Sequence, residues 1–393
     1  MKHPETQTES QEIALFSAGY RVFFPLAALS AVTILGYWLF LVTGMTDYLP
    51  SRFSPVGWHQ HEMIFGMVMA VIIGFLYTAV PNWTGQSTPT GWLLAALALI
   101  WISGRFAVFF GSYLPVWLPV IVDGIFLPLA IAGIVRALVK SENTRNYFLP
   151  LLLLLFTGLN ITSHLAVIGR VDIDERQIFV PAILCIVFLM NVIGGRIIPN
   201  FTRGKYPDIE MSAPAILLPL SALSIFGLAA AFLLSAGDTV IGILAALAGL
   251  FTLIRFLGWQ GWKVAHDPLL FILHLGYFWI PVGFFLMAFS SFTAFMVYSY
   301  ALHAFTVGAI GSLTLGVMSR ATLGHSGLPL NNEGLLTIIF LSVNLAAFAR
   351  VILPLAGEDY GALLQGAGSL WLLAYGLFLI RFGATFIRPR NIP

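Results

Sequence analysis

The chain has 393 residues, of which 59% are hydrophobic and 9% charged, and its 19 basic residues nearly balance 17 acidic ones. A water-soluble domain carries about 25% charged residues, so a soluble enzyme, a nucleic-acid binder and a disordered segment are all excluded. The net charge of +2 is too small to suggest a polyanionic partner.

A bilayer-crossing helix needs about 20 mostly apolar residues. Twelve such runs follow one another, near 21–43, 57–80, 91–110, 117–139, 148–169, 177–199, 213–235, 238–258, 267–289, 294–318, 333–355 and 361–383. Backbone groups in hydrocarbon must be satisfied internally, so the runs are helices rather than open strands. The expected fold class is all-α, a polytopic integral membrane protein of about 12 transmembrane helices. A polar tail at 1–20 precedes a single transmembrane domain at 21–383, and a short tail at 384–393 follows it. The opening residues lack the basic-then-apolar pattern of a cleavable signal peptide. Lys and Arg divide 14 to 5 between the side that holds the N-terminus and the opposite side, which predicts that both termini are cytoplasmic. The single cysteine, Cys185, forbids an internal disulfide and any CxxCH attachment, so a haem would be held non-covalently.

Seven of the eight histidines, all but His3, lie in or beside these runs. An ionisable side chain inside a membrane is costly and marks a functional site by default. In WHQHEMIFG (58–66), His59 and His61 are separated by about 200° of helical rotation, so both cannot face one metal unless the helix entry is unwound. On an α-helix His59, Glu62, Met63 and Gly66 share one face, and His61, Phe65 and Val68 another. One histidine is then placed to ligate, with Glu62 orienting the other or carrying protons. The uncharged stretch PNWTGQSTPT (81–90) is expected to fold inward. Arg105 and Asp123 fall at similar depth on consecutive helices, as an ion pair would. His164 lies near the outer end of its helix. Arg196 in GGRIIPNFT (194–202) either snorkels or holds an anion beside Asn200. His274 in LHLGYFWIP (273–281) precedes Pro281, where a kink is expected.

The segment HAFTVGAIGSLTLGVMSRATLGHSG (303–327) carries the most information. His303 shares a face with Val307, Ile310 and Thr314, while Ala304, Gly308, Ser312 and Gly316 form a small-residue ladder turned away from it, suited to close helix contact. Arg320 either holds a haem propionate or follows the positive-inside rule, and His325 closes the segment. At 1.5 Å rise per residue, His274 and His303 are separated by about 10 Å along the membrane normal, whereas two axial ligands of one iron lie about 4 Å apart. His303 is therefore expected to share an outer-half site with His59, His61 or His164, and His274 an inner one with His325 or His266. The histidine-free pairs near 213–258 and 333–383 read as packing scaffold.

WHQHEMIFG, TAVPNWTG, GGRIIPNFT, LHLGYFWIP and the 303–327 segment, in that order, resemble the NnrS family of bacterial membrane proteins, from FSAGYRVFF (16–24) to about Pro329. The resemblance implies a multi-spanning protein of the bacterial inner membrane containing haem, with copper as a second metal, and linked to nitric oxide metabolism and nitrosative stress. On that basis the expected activity is a nitric oxide reductase that forms N₂O. His303, His61, His59 and His274 are the leading ligand candidates, and His164 and His325 the remaining metal candidates. His61, His303, His274, Arg320 and Arg196 are the cofactor-binding candidates, and Glu62 and His59 the catalytic ones. A b-type haem, nitric oxide, surrounding membrane lipids and an electron donor such as quinol or a cytochrome complete the expected set, with no nucleic acid. The alternatives are a non-enzymatic haem or copper protein that binds NO and, from the twelve spans alone, a secondary transporter.

Overall fold

The computed structural model describes residues 14–293, 298–331, 334–357 and 360–389. Most of the expected N-terminal tail, with Lys2, and the last four residues, with Arg390, lie outside the described residues. The described chain is helical throughout, without a strand. The principal helices are α1 (Gly19–Val42), α2 (Pro55–Thr84), α3 (Gly91–Phe109), α4 (Trp117–Lys140), α5 (Thr144–Val167), α6 (Glu175–Lys205), α7 (Leu217–Leu233), α8 (Asp238–Leu257), α9 (Pro268–Phe292), α10 (Tyr298–His325), α11 (Gly334–Ala356) and α12 (Tyr360–Ile387). All but α7 are long and apolar enough to cross a membrane. The protein is thus a multi-pass membrane protein. The predicted 213–235 run starts late, at Leu217, because Pro219 has no N–H to bond the carbonyl four residues back, and the bond that Leu220 donates to the Ile216 carbonyl follows it.

Helices α2, α6, α9 and α10 are the most enclosed, whereas α1 and α12 lie at the periphery and pack against each other. Arg21 near the start of α1 donates to the carbonyls of Thr385 and Phe386 at 3.2 and 3.1 Å. It thereby satisfies terminal carbonyls of α12 that have no partner within their own helix.

The small-residue ladder of α10 does what its spacing suggests. Gly308 lies against the Trp279 ring and Gly316 against Leu273 and Ile272, all on α9, while Gly276 of α9 faces Leu313 and Ser312. A Cβ on Gly308 would come within 2.5 Å of the Trp279 ring. Gly308→Val is therefore expected to force α9 and α10 apart and to cost about 1–3 kcal/mol, the usual penalty for overpacking. The measurement is thermal unfolding in detergent; an unchanged midpoint would refute the close contact.

Two features differ from the sequence expectation, while helix α9 continues through Pro281, the position of the expected kink. Helix α2 continues through Pro81 to Thr84, so the uncharged connection begins only at Gly85. That connection does turn inward, since Thr88 is buried and donates to the Tyr77 carbonyl at 2.7 Å. Helix α4 is interrupted between Gly124 and Phe126. Pro128 explains the break, because its ring opposes the carbonyl four residues back, that of Gly124.

Two stretches adopt the wider π-helical winding, Glu62–Val68 in α2 and Ala304–Gly311 in α10. Such turns are rare, and they collect at functional sites. In α2 the indole of Trp101 donates to the Gly66 carbonyl at 3.2 Å. Gly66 also has no room for a side chain, since a Cβ would lie 2.6 Å from Arg105 Nη1.

Candidate functional site

The π turns lie just after His59 and His61 on α2 and just after His303 on α10, so every leading histidine of the outer half is placed by one of them. They also alter the face assignment. His61 and Glu62 point together to one side of α2, with Gly66 against the same Arg105 that Glu62 binds. His59 and Met63 line a cavity on the other. The ideal-helix grouping of Glu62 and Gly66 with His59 is thereby corrected: a π turn advances fewer degrees per residue, and the faces drift.

The cavity lies between α1, α2, α10, α11 and α12 and has a volume of ≈ 320 Å³. Volumes of about 300–1,000 Å³ are typical of small-molecule and cofactor sites. His59 and His303 both line it, together with Trp38, Gln60, Met63, Arg350 and Trp371. The His59 ring stacks on Trp38, with centroids 4.7 Å apart and planes inclined by 19°. His59 Nδ1 and Gln60 Oε1 are buried without a hydrogen-bond partner among the described residues. His303 Nδ1 lies 2.6 Å from the Ser299 carbonyl. A carbonyl only accepts, so Nδ1 carries the proton and Nε2 keeps its lone pair. That is the tautomer and second-sphere bond of a metal-binding imidazole.

Arg350 brings a positive charge to the same cavity. Its Nη2 donates to Tyr360 Oη at 2.8 Å, while Nε and Nη1 are buried without partners among the described residues. The 333–383 pair is therefore not scaffold alone. Arg350, Tyr360 and Trp371 line the cavity from α11 and α12. Sequence reading missed Arg350 because an arginine near a helix end reads as a charge facing the membrane surface, and only packing shows that it is buried.

On the other side of α2 lies a polar cluster shared with α3, α4 and α5. Arg105 Nη1 donates to Glu62 Oε1 at 2.6 Å, and Nη2 pairs with Asp123 Oδ1. The ion pair expected from depth is thus present, with Glu62 as its third member. His61 Nδ1 lies 3.1 Å from Glu62 Oε1, and His61 Nε2 lies 2.9 Å from Asn160 Oδ1 and 3.4 Å from Asp123 Oδ2. His164 Nε2 is 3.0 Å from the same Asp123 oxygen, to which Asn160 Nδ2 donates at 2.8 Å. His61 and Asp123 are 0% and 3% exposed, so bulk water does not screen these charges. Phe53 covers both rings, 4.7 Å from His61 and 5.4 Å from His164. Asn160 was also missed, though a signal was present: it lies four residues before His164, hence on the same face.

The histidines of the inner half do not converge. His274 Nε2 lies 2.9 Å from Thr202 Oγ1, and the ring presses against Gly261, where a Cβ would lie 2.5 Å from Nδ1. His266 Nε2 is 3.0 Å from Tyr206 Oη, and the His325 ring is 5.8 Å from that of Tyr20. In these contacts the three rings have three different partners, and none of the contacts links one of the three histidines to another. Arg196 donates to Asn146 Oδ1 at 2.7 Å, and Arg320 lies over the Phe201 ring at 4.1 Å.

The family model described as NnrS protein matches residues 14–390, almost the whole chain. The chain belongs to the NnrS family. No match was found among curated proteins. The match extends past Pro329, where the motif resemblance ends, and so takes in α11 and α12 with Arg350 and Tyr360.

The donor set of the cavity fits a haem. It offers two imidazoles on helices from distant parts of the chain, one with its tautomer fixed, and a buried guanidinium with unused donors for acidic side groups. Apolar and aromatic walls complete it.

Proposed function

We propose that this NnrS protein is a haem-dependent membrane protein of nitric oxide metabolism, acting as a nitric oxide reductase in the bacterial inner membrane with both termini cytoplasmic. The observation that carries this reading is His303, fixed through Nδ1 by the Ser299 carbonyl in a ≈ 320 Å³ cavity that also presents His59 and Arg350. His303 would hold the haem, whose iron would supply the site at which NO binds, with His59 facing the same cavity. Arg350 compensates the negative charge of propionates, which is expensive to bury alone. Trp38 keeps the His59 ring in place by stacking, and Met63, Leu302 and Val307 exclude water.

The overall reaction is two NO, two electrons and two protons giving N₂O and water. The electrons come from a membrane donor, quinol or a cytochrome, and copper is a candidate second metal. Glu62, bonded to His61 and Arg105 on the opposite side of the helix that carries His59, is the proton carrier in this reading.

The test is an optical spectrum of the purified protein with and without NO, combined with N₂O detection under turnover. A Soret band that shifts with NO and steady N₂O release is the expected outcome. A Soret band without N₂O would replace the reductase by an NO-binding protein. A colourless protein free of metal would remove both.

A further inference from the structure

We propose that His61, His164 and Asp123 bind one divalent first-row transition metal ion, at a non-haem site separate from the cavity between His59 and His303. The ligand atoms of the three residues lie within 4.8 Å of one another, and all three residues are buried. Asp123 Oδ2 is 3.0 Å from His164 Nε2 and 3.4 Å from His61 Nε2. For metal–ligand bonds of about 2.0–2.2 Å, neighbouring ligand atoms are separated by about 3.0 Å in an octahedron and about 3.4 Å in a tetrahedron. The two distances to Asp123 are therefore already those of coordination-polyhedron edges, among ligands brought together from α2, α4 and α5.

A fourth donor is in place. Asn160 Oδ1 lies 2.9 Å from His61 Nε2, and its amide nitrogen is tied to Asp123 Oδ2. Next to the cluster a cleft of ≈ 10 Å³, lined by Arg52, Phe53, Val120 and His164 among others, has room for about one water. The donors are two imidazole nitrogens and two oxygens, with no sulfur. That set disfavours a soft monovalent ion and matches the two-histidine, one-carboxylate pattern of non-haem iron(II) and similar divalent ions.

The surroundings point to a metal independently of the three ligands. Metal-binding imidazoles donate their second nitrogen to a carboxylate or carbonyl. His61 Nδ1 has Glu62 Oε1 at 3.1 Å, and that carboxylate is in turn held by Arg105 Nη1 at 2.6 Å. With both imidazoles neutral, Glu62 and Asp123 contribute two negative charges against one from Arg105, a balance that a bound cation would complete.

The test uses full-length protein in detergent, stripped with a chelator and titrated with Co²⁺ as the probe. Visible d–d absorption that saturates at one Co²⁺ per chain and is displaced by Zn²⁺ is expected. His164→Ala should weaken Co²⁺ binding at least about tenfold, the minimum cost seen even for outer-sphere changes, while retaining any Soret band. Wild-type protein that is monodisperse but shows no saturable Co²⁺ signal overturns the proposal, as does unaltered binding in a folded His164→Ala protein. If that variant does not fold, the wild-type titration decides alone. A protein that binds one Co²⁺ yet never shows a Soret band supports this site and defeats the haem reading, so the two failures are distinguishable.

Discussion

His303→Ala is expected to abolish the Soret band of the purified protein, or to reduce it by at least about tenfold. Changes to groups that merely orient a metal ligand cost about 10–100-fold in metal affinity, and removal of the ligand itself should cost no less. The expectation rests on the direction of the His303 imidazole. Its Nδ1 is committed to the Ser299 carbonyl at 2.6 Å, so only Nε2 remains for coordination. Alanine leaves the α9–α10 contact intact, because the glycine ladder that makes it faces away from His303. The protein should therefore stay folded while the cofactor is lost. Arg350→Met, which keeps the length and removes the charge, should weaken haem retention without abolishing it. An unaltered Soret band in a folded His303→Ala protein would refute the ligand assignment.

Asp123→Leu is expected to destabilise the protein by about 3–5 kcal/mol, the cost of breaking a buried ion pair from one side. That is a large part of the roughly 5–15 kcal/mol that separates a typical folded protein from its unfolded state. The loss has a definite origin. Asp123 accepts from Arg105 and Asn160 and faces His164 Nε2 at once, and leucine leaves all three in an apolar setting. The triple variant Asp123→Leu, Arg105→Met and Glu62→Gln should recover much of the loss, since buried ionic groups are often replaceable by well-packed apolar ones at little cost. Thermal unfolding in detergent measures both. If Asp123→Leu unfolds with the wild-type midpoint, the cluster is not a buried charge network.

The helical count and the inward turn at Thr88 were legible because both follow from composition: long apolar runs must be helices in oil, and a connection without charge has no reason to seek water. The partition of histidines was partly legible. Rise per residue separated His274 from His303 and grouped His303 with the outer-half histidines. What rise cannot give is azimuth once a helix leaves 3.6 residues per turn. Glu62 was accordingly assigned to the face of His59, whereas the π turn carries it to His61 and Arg105. Long-range partners were the other blind spot. Arg350 and Asn160 acquire their roles only when α11 and α2 come to line one cavity and α5 meets α4, and no local pattern encodes which helices will meet.

The winding of 62–68 also restricts how this stretch can change in length. Deleting one residue there would convert the wide turn into ordinary helix and leave the segments before and after it almost in phase, since the residue removed is the extra one that the wide turn accommodates. The side chains inside the turn, Glu62 and Gly66 above all, would lose their present alignment with Arg105, even though composition and hydropathy would hardly change. Apart from Gly66, which has no room for a side chain, substitutions that preserve polarity are tolerable in this stretch; a change of length would exchange the wide turn for another winding, and constant spacing between Glu62 and Gly66 is what a set of homologous sequences should show.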